Sequence, residues 1–78
     1  MTTPIDRYAL LARLLRDLRI QSDLTQTDVA SALGKPQSYV SKYESGERRV
    51  DFVELMELCR VLGVGLHDFI ALFEKGEQ

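Results

Sequence analysis

Residues 24–46 read LTQTDVASALGKPQSYVSKYESG, and their apolar and small side chains fall where two short helices must cross at a tight turn. Counted from Gln26, the positions Val29, Leu33, Val40 and Tyr43 face one shared core. Ala30 is small where the helices touch, and Gly34 stands where the turn asks for a positive φ. The segment therefore reads as a helix-turn-helix. Opposite its core the spacing puts Gln37, Ser38, Tyr39, Ser41 and Lys42, a donor-rich face of the kind that meets base edges in a DNA major groove.

The chain has 78 residues, which is one domain near the lower size at which a hydrophobic core suffices without metal or disulfide. Cys59 is alone and forms no internal disulfide, and His67 has no second ligand at a metal-binding spacing, so no metal and no cofactor is expected. No apolar run approaches the roughly 20 residues that span a bilayer, and the N-terminal residues lack the pattern of a signal peptide. A reducing, cytoplasmic setting away from membranes is the expectation. No His, Cys or carboxylate cluster combines nucleophile, base and orienting group, so no catalytic residue is assigned and an enzyme is not expected.

The formal net charge of -2 is not the basic balance of a domain that neutralises phosphates, but its distribution is uneven. Residues 1–49 carry eight Lys plus Arg against six Asp plus Glu, and residues 50–78 carry two against six. A basic face toward DNA and an acidic C-terminal third turned elsewhere, open to a protein partner, satisfies this asymmetry; so does a uniformly solvated surface.

Five helices and no strand are predicted, at about residues 4–22, 26–33, 36–45, 52–62 and 66–74. Thr3, Pro4 and Asp6 offer a cap, a first-turn proline and an acid for the first helix, whose apolar positions are Tyr8, Leu11, Leu14, Leu15 and Leu18. Thr25 with Asp28, and Asp51 with Glu54, have capping-box spacing. Gly34 and Gly46 end the second and third helices, and Pro36 is placed in the first turn of the third. The fourth helix shows a stripe of Phe52, Leu55, Met56, Cys59 and Leu62. The fifth is apolar at Leu66, Phe69, Ile70, Leu72 and Phe73, more of its circumference than one core contact requires, which points to a homodimer through this helix.

From about Tyr8 to Phe73 the chain resembles the small helix-turn-helix domains of the phage Cro and lambda-repressor family, also called Xre-like regulators. The resemblance rests on Leu24-Thr25-Gln26, Ala30, Leu33-Gly34, the run from Gln37 to Gly46, Arg48-Arg49 and residues 62–66, LGVGL. It implies an all-α, five-helix lambda-repressor-like fold in which Gln26 binds a phosphate, the third helix reads bases, and the loop after Gly46 follows the sugar-phosphate backbone. It also implies an ion pair between Arg19 and Glu44. Two positions depart from the family pattern: Lys35 stands where an apolar residue is usual, and Pro36 replaces a hydroxyl or acidic cap.

Base reading is accordingly expected of Gln37, Ser38, Ser41 and Lys42, the last with reach for either guanine or a phosphate. Backbone or apolar contact is expected of Gln26, Lys35, Tyr39, Arg48 and Arg49, with the Tyr39 ring either on a sugar or thymine methyl or flat on the protein surface. The function these expectations describe is a sequence-specific transcriptional regulator of double-stranded DNA, a repressor or autoregulator bound as a homodimer to a pseudo-palindromic operator. The alternative is an antitoxin or adaptor of the same fold whose main partner is another protein.

Overall fold

Asp6 starts the first helix on its own: its carboxylate accepts from the backbone N–H of Tyr8 and of Ala9, both at 3.1 Å, ahead of α1 (Arg7–Gln21). The computed structural model describes residues 6–77, so Thr3 and Pro4, expected to open this helix, lie outside the described residues. At its far end the chain turns through Asp23 at φ 61°, a left-handed conformation that Asp tolerates better than most side chains. Arg19 ties that turn down by donating from Nη1 to the Leu24 carbonyl at 2.9 Å.

Reciprocal capping opens α2 (Gln26–Leu33), as the spacing predicts. Asp28 N–H donates to the Thr25 hydroxyl at 3.0 Å, and Thr25 N–H donates to the Asp28 carboxylate at 2.9 Å. These bonds, that from the Thr25 backbone foremost, lower the pKa of Asp28 below the ordinary carboxylate range. Gly34 ends the helix at φ 67°, where a side chain would be strained, and Lys35 N–H returns to the Ala30 carbonyl at 2.9 Å. Pro36 does not sit in the first turn of the next helix. With ψ 154° it is the residue before it, without a side-chain cap, and α3 spans Gln37–Ser45. The residue position that carries Pro36 is the one where a hydroxyl or acid would supply the cap; Tyr39 N–H donates to the Pro36 carbonyl at 3.0 Å, and the N–H groups of Gln37 and Ser38 are left to water or a ligand. Gly46, at φ 85°, turns the chain out of α3.

Asp51 and Glu54 form the second capping box, before α4 (Phe52–Leu62). The last helix, α5 (Leu66–Gly76), runs two residues beyond its expected end. All regular elements among the described residues are helical; α2 packs on α3 and α4, and α1 and α4 both meet α5.

One buried cluster joins all five helices: Leu15, Val29, Ala30, Tyr39, Val40, Tyr43, Leu58, Cys59, Leu62 and Phe69. Full burial of each large apolar side chain in it stabilises the fold by about 1.5–3 kcal/mol. Burial also raises the pKa of the Cys59 thiol, as befits a small core residue. The inward stripe of α4 differs from the expected one. Leu58 is fully buried, whereas Phe52 and Met56 are 62% and 43% exposed, because the face that meets the core follows Leu55, Leu58, Cys59 and Leu62. On α1, Leu10, Ala12 and Leu15 point inward, and Tyr8, one of the apolar positions at helical spacing, is exposed.

Candidate nucleic-acid interface

Burial of Tyr39, Val40 and Tyr43 fixes which way α3 turns. Gln37, Ser38 and Lys42 are left exposed, and Ser41, on the same face one turn after Gln37, is half-buried. These four polar side chains, picked from the sequence for base reading, thus share one outward face of the helix.

Tyr39 departs from that expectation. It is only 8% exposed, because it precedes Tyr43 by four residues and so shares its inward side. The two rings meet edge to face, with centroids 5.5 Å apart. Cations flank the remaining surface of the Tyr39 ring: the Arg48 guanidinium lies 4.7 Å and the Lys35 ammonium 5.6 Å from its centroid. Burial first, then the nearby Glu54 carboxylate, pushes the Tyr39 phenol up to about 12. The ring is thus a platform that gathers two basic side chains beside α3.

Arg48 is also held from below. Its Nη2 donates to Glu54 Oε2 at 2.8 Å and its Nη1 to Glu54 Oε1 at 3.2 Å, and the second nitrogen reaches the Arg49 carbonyl as well. Arg48's hydrogen bonds, with a further one from the Asp51 backbone, hold the Glu54 carboxyl down at about 2. Arg49 lies over the exposed Tyr8 ring, 3.9 Å from its centroid. Glu54 and Tyr8 therefore join the candidate site, although the sequence marks the first only as a cap and the second only as an apolar position of the first helix. Their partners lie across a loop and across the fold, where no helical periodicity connects them.

On the other flank, four side chains form a chain of hydrogen bonds from the core to the outward face of α3. Arg19 Nε donates to Glu44 Oε2 at 2.7 Å and Arg19 Nη2 to Glu44 Oε1 at 3.0 Å, with the two side chains only 12% and 3% exposed. Gln26 Nε2 donates to Glu44 Oε1 at 3.0 Å, and Gln37 Nε2 donates to Gln26 Oε1 at 2.7 Å. The hydrogen bonds that Arg19 donates to Glu44 raise the Arg19 pKa above its ordinary value.

The fifth helix divides differently from the expectation. Phe69 is 2% exposed and belongs to this protomer's own core, so it has almost no surface left for a second copy. Leu66 is half-buried against the same core. Ile70 and Leu72 remain 43% and 41% exposed, and an apolar groove of about 200 Å³ runs between Leu11, Leu55, Phe69, Ile70 and Phe73. No helix among the described residues is long and apolar enough to cross a membrane.

No curated protein matches this chain. Among solved structures, an XRE-family like protein from Pseudomonas syringae pv. tomato str. DC3000 superposes with a TM-score of 0.83 at 39% identity, over 92% of this chain and 88% of that one. The clp gene regulator ClgR from C. glutamicum gives a TM-score of 0.79 at 26% identity, over 99% of this chain and 97% of that one. The wild-type restriction-modification controller protein C.Esp1396I shares the fold, with a TM-score of 0.84 at 20% identity over 91% and 92% of the two chains. The helix-turn-helix family model matches residues 15–69, from the core of α1 to that of α5. By that match and by its 39% identity to an XRE-family like protein, this chain belongs to the Xre-type family of helix-turn-helix DNA-binding proteins.

Proposed function

We propose that this protein regulates transcription by binding a pseudo-palindromic operator as a homodimer, with α3 of each protomer in a major groove. The observation that carries this reading is the outward face of α3, where Gln37, Ser38, Ser41 and Lys42 stand together and Gln37 is braced through Gln26 to a buried ion pair. A reader held on a rigid element discriminates bases better than one on a loop, because a misplaced donor loses its acceptor. Gln26 commits one N–H to Glu44 and keeps a second for a phosphate, at an N-terminus whose dipole favours anions. Lys35, Arg48 and Arg49 supply phosphate contacts on the opposite flank. The relatives named as a gene regulator and a restriction-modification controller support the regulatory role, here that of a repressor or autoregulator.

One recognition helix per protomer gives too little discrimination against genomic DNA, so two half-sites are read together. Ile70, Leu72 and Phe73, with the groove beside them, are the surface proposed for that pairing. Selection of bound sequences from a random DNA pool tests the whole reading: it yields a motif with two-fold symmetry, and failure to enrich any motif contradicts it. An adaptor reading draws on a separate observation, the exposed Phe52, Val53 and Met56 on α4, and is tested by whether the product of a neighbouring gene co-purifies with this chain.

A further inference from the structure

Gln37 is linked by hydrogen bonds to a charge two side chains away. A carboxylate only accepts hydrogen bonds, and Glu44 Oε1 takes one from Arg19 Nη2 and one from Gln26 Nε2, each at 3.0 Å. With its nitrogen committed inward, Gln26 turns Oε1 outward. An amide oxygen also only accepts, so Gln37 turns Nε2 toward it, at 2.7 Å. Gln37 is then left with its own Oε1 and one Nε2–H for anything else.

We propose that Glu44 is a positioning residue for base specificity: through Gln26 it fixes the amide polarity of Gln37, so that an acceptor and a donor are offered in one order, the complement of the N6 donor and N7 acceptor of adenine. The inference rests on the reading of α3 as the DNA reader. Arg19 makes the relay directional, since it grips both carboxylate oxygens and also the Leu24 carbonyl, which keeps the Glu44 carboxylate from rotating. A neutral amide at position 44 has an NH2 that donates and an oxygen that accepts, accommodates Gln26 in either orientation, and so leaves Gln37 without a fixed polarity.

The test uses the full chain and the operator obtained by selection. The position read by Gln37 is the one whose preference Gln37→Ala relaxes. Dissociation constants are then measured for the operator and for base changes at every position, with wild type, Glu44→Gln, Glu44→Asp and Gln26→Met. Glu44→Asp keeps the charge opposite Arg19 but withdraws the carboxylate by one methylene, so it carries the test if Glu44→Gln fails to fold; Gln26→Met cuts the relay without touching the ion pair. The expected result is a loss of about fivefold or more in adenine preference at the Gln37 position alone, the scale of one bidentate contact. Wild-type preference in folded Glu44→Asp and Gln26→Met, or an equal loss at all positions, overturns the relay. If Gln37→Ala itself changes no preference, the reading of α3 fails and the relay fails with it.

Discussion

Arg48 and Glu54 are joined fork to fork across the loop between α3 and α4, with N–O distances of 3.2 and 2.8 Å, while the same guanidinium lies over the Tyr39 ring. One carboxylate therefore both caps α4 and holds a basic side chain beside α3.

That pair gives the fold an acid-sensitive component. Glu54 is held at about 2, mainly by Arg48, against an ordinary value of 4.5, so its contribution is complete above about pH 4.5 and is lost as pH falls from there through about 2. Because Arg48 is substantially exposed, solvent screens the pair and its contribution at neutral pH is small. In urea melts Glu54→Gln is slightly less stable than wild type at pH 7, and the gap closes as pH falls toward 2. A gap independent of pH would show that the lost cap geometry, not the charge, sets it.

Arg19→Ala and Glu44→Ala each strand a charge among buried groups, at a cost of about 3–5 kcal/mol. The double variant is expected to lose less than the sum of the two in denaturant melts. Additive losses would mean that the pair makes no energetic contact.

Tyr43 has a buried hydroxyl without a hydrogen-bond partner among the described residues. Tyr43→Phe is therefore expected to leave stability unchanged or to raise it by about 1 kcal/mol, since only an unpaired polar group is removed. A thermal melt showing a clear loss would reveal a partner for that oxygen.

On α5 the exposed and buried residues predict opposite outcomes. Ile70→Asp or Leu72→Asp yields a folded monomer by sedimentation, with weak binding to full palindromes because the half-sites are no longer linked. Phe69→Asp instead unfolds the protomer, since it places a charge in the core. A wild type that is monomeric at high micromolar concentration, free and on DNA, would refute the dimer.

Much of this architecture is legible in the residues because its signals are local. Thr25 with Asp28 and Asp51 with Glu54 announce helix starts within four residues, and Gly34 and Gly46 mark ends that require a positive φ. What escapes the sequence depends on rotation and on distance along the chain. In a helix as short as α3, the polar tip of Tyr39 makes an inward residue look like one of the outward donors, and only its spacing from Tyr43 tells otherwise. The α4 stripe misleads in the same way, since Phe52 and Met56 are as apolar as Leu58 but lie about a third of a turn off the core face. Arg48 on Glu54 and Arg49 on Tyr8 follow from how the loop after Gly46 lies, which no periodicity encodes.

The central claim, that α3 reads bases while the loop after it holds phosphates, is tested most directly by comparing DNA selections for wild type, Gln37→Ala and Arg49→Ala. Gln37→Ala is expected to relax preference at one position per half-site, costing about 1–3 kcal/mol there. Arg49→Ala is expected to keep the motif, weaken binding uniformly and reduce the salt slope by about 1. An unchanged motif with Gln37→Ala, or an altered one with Arg49→Ala, would contradict the account.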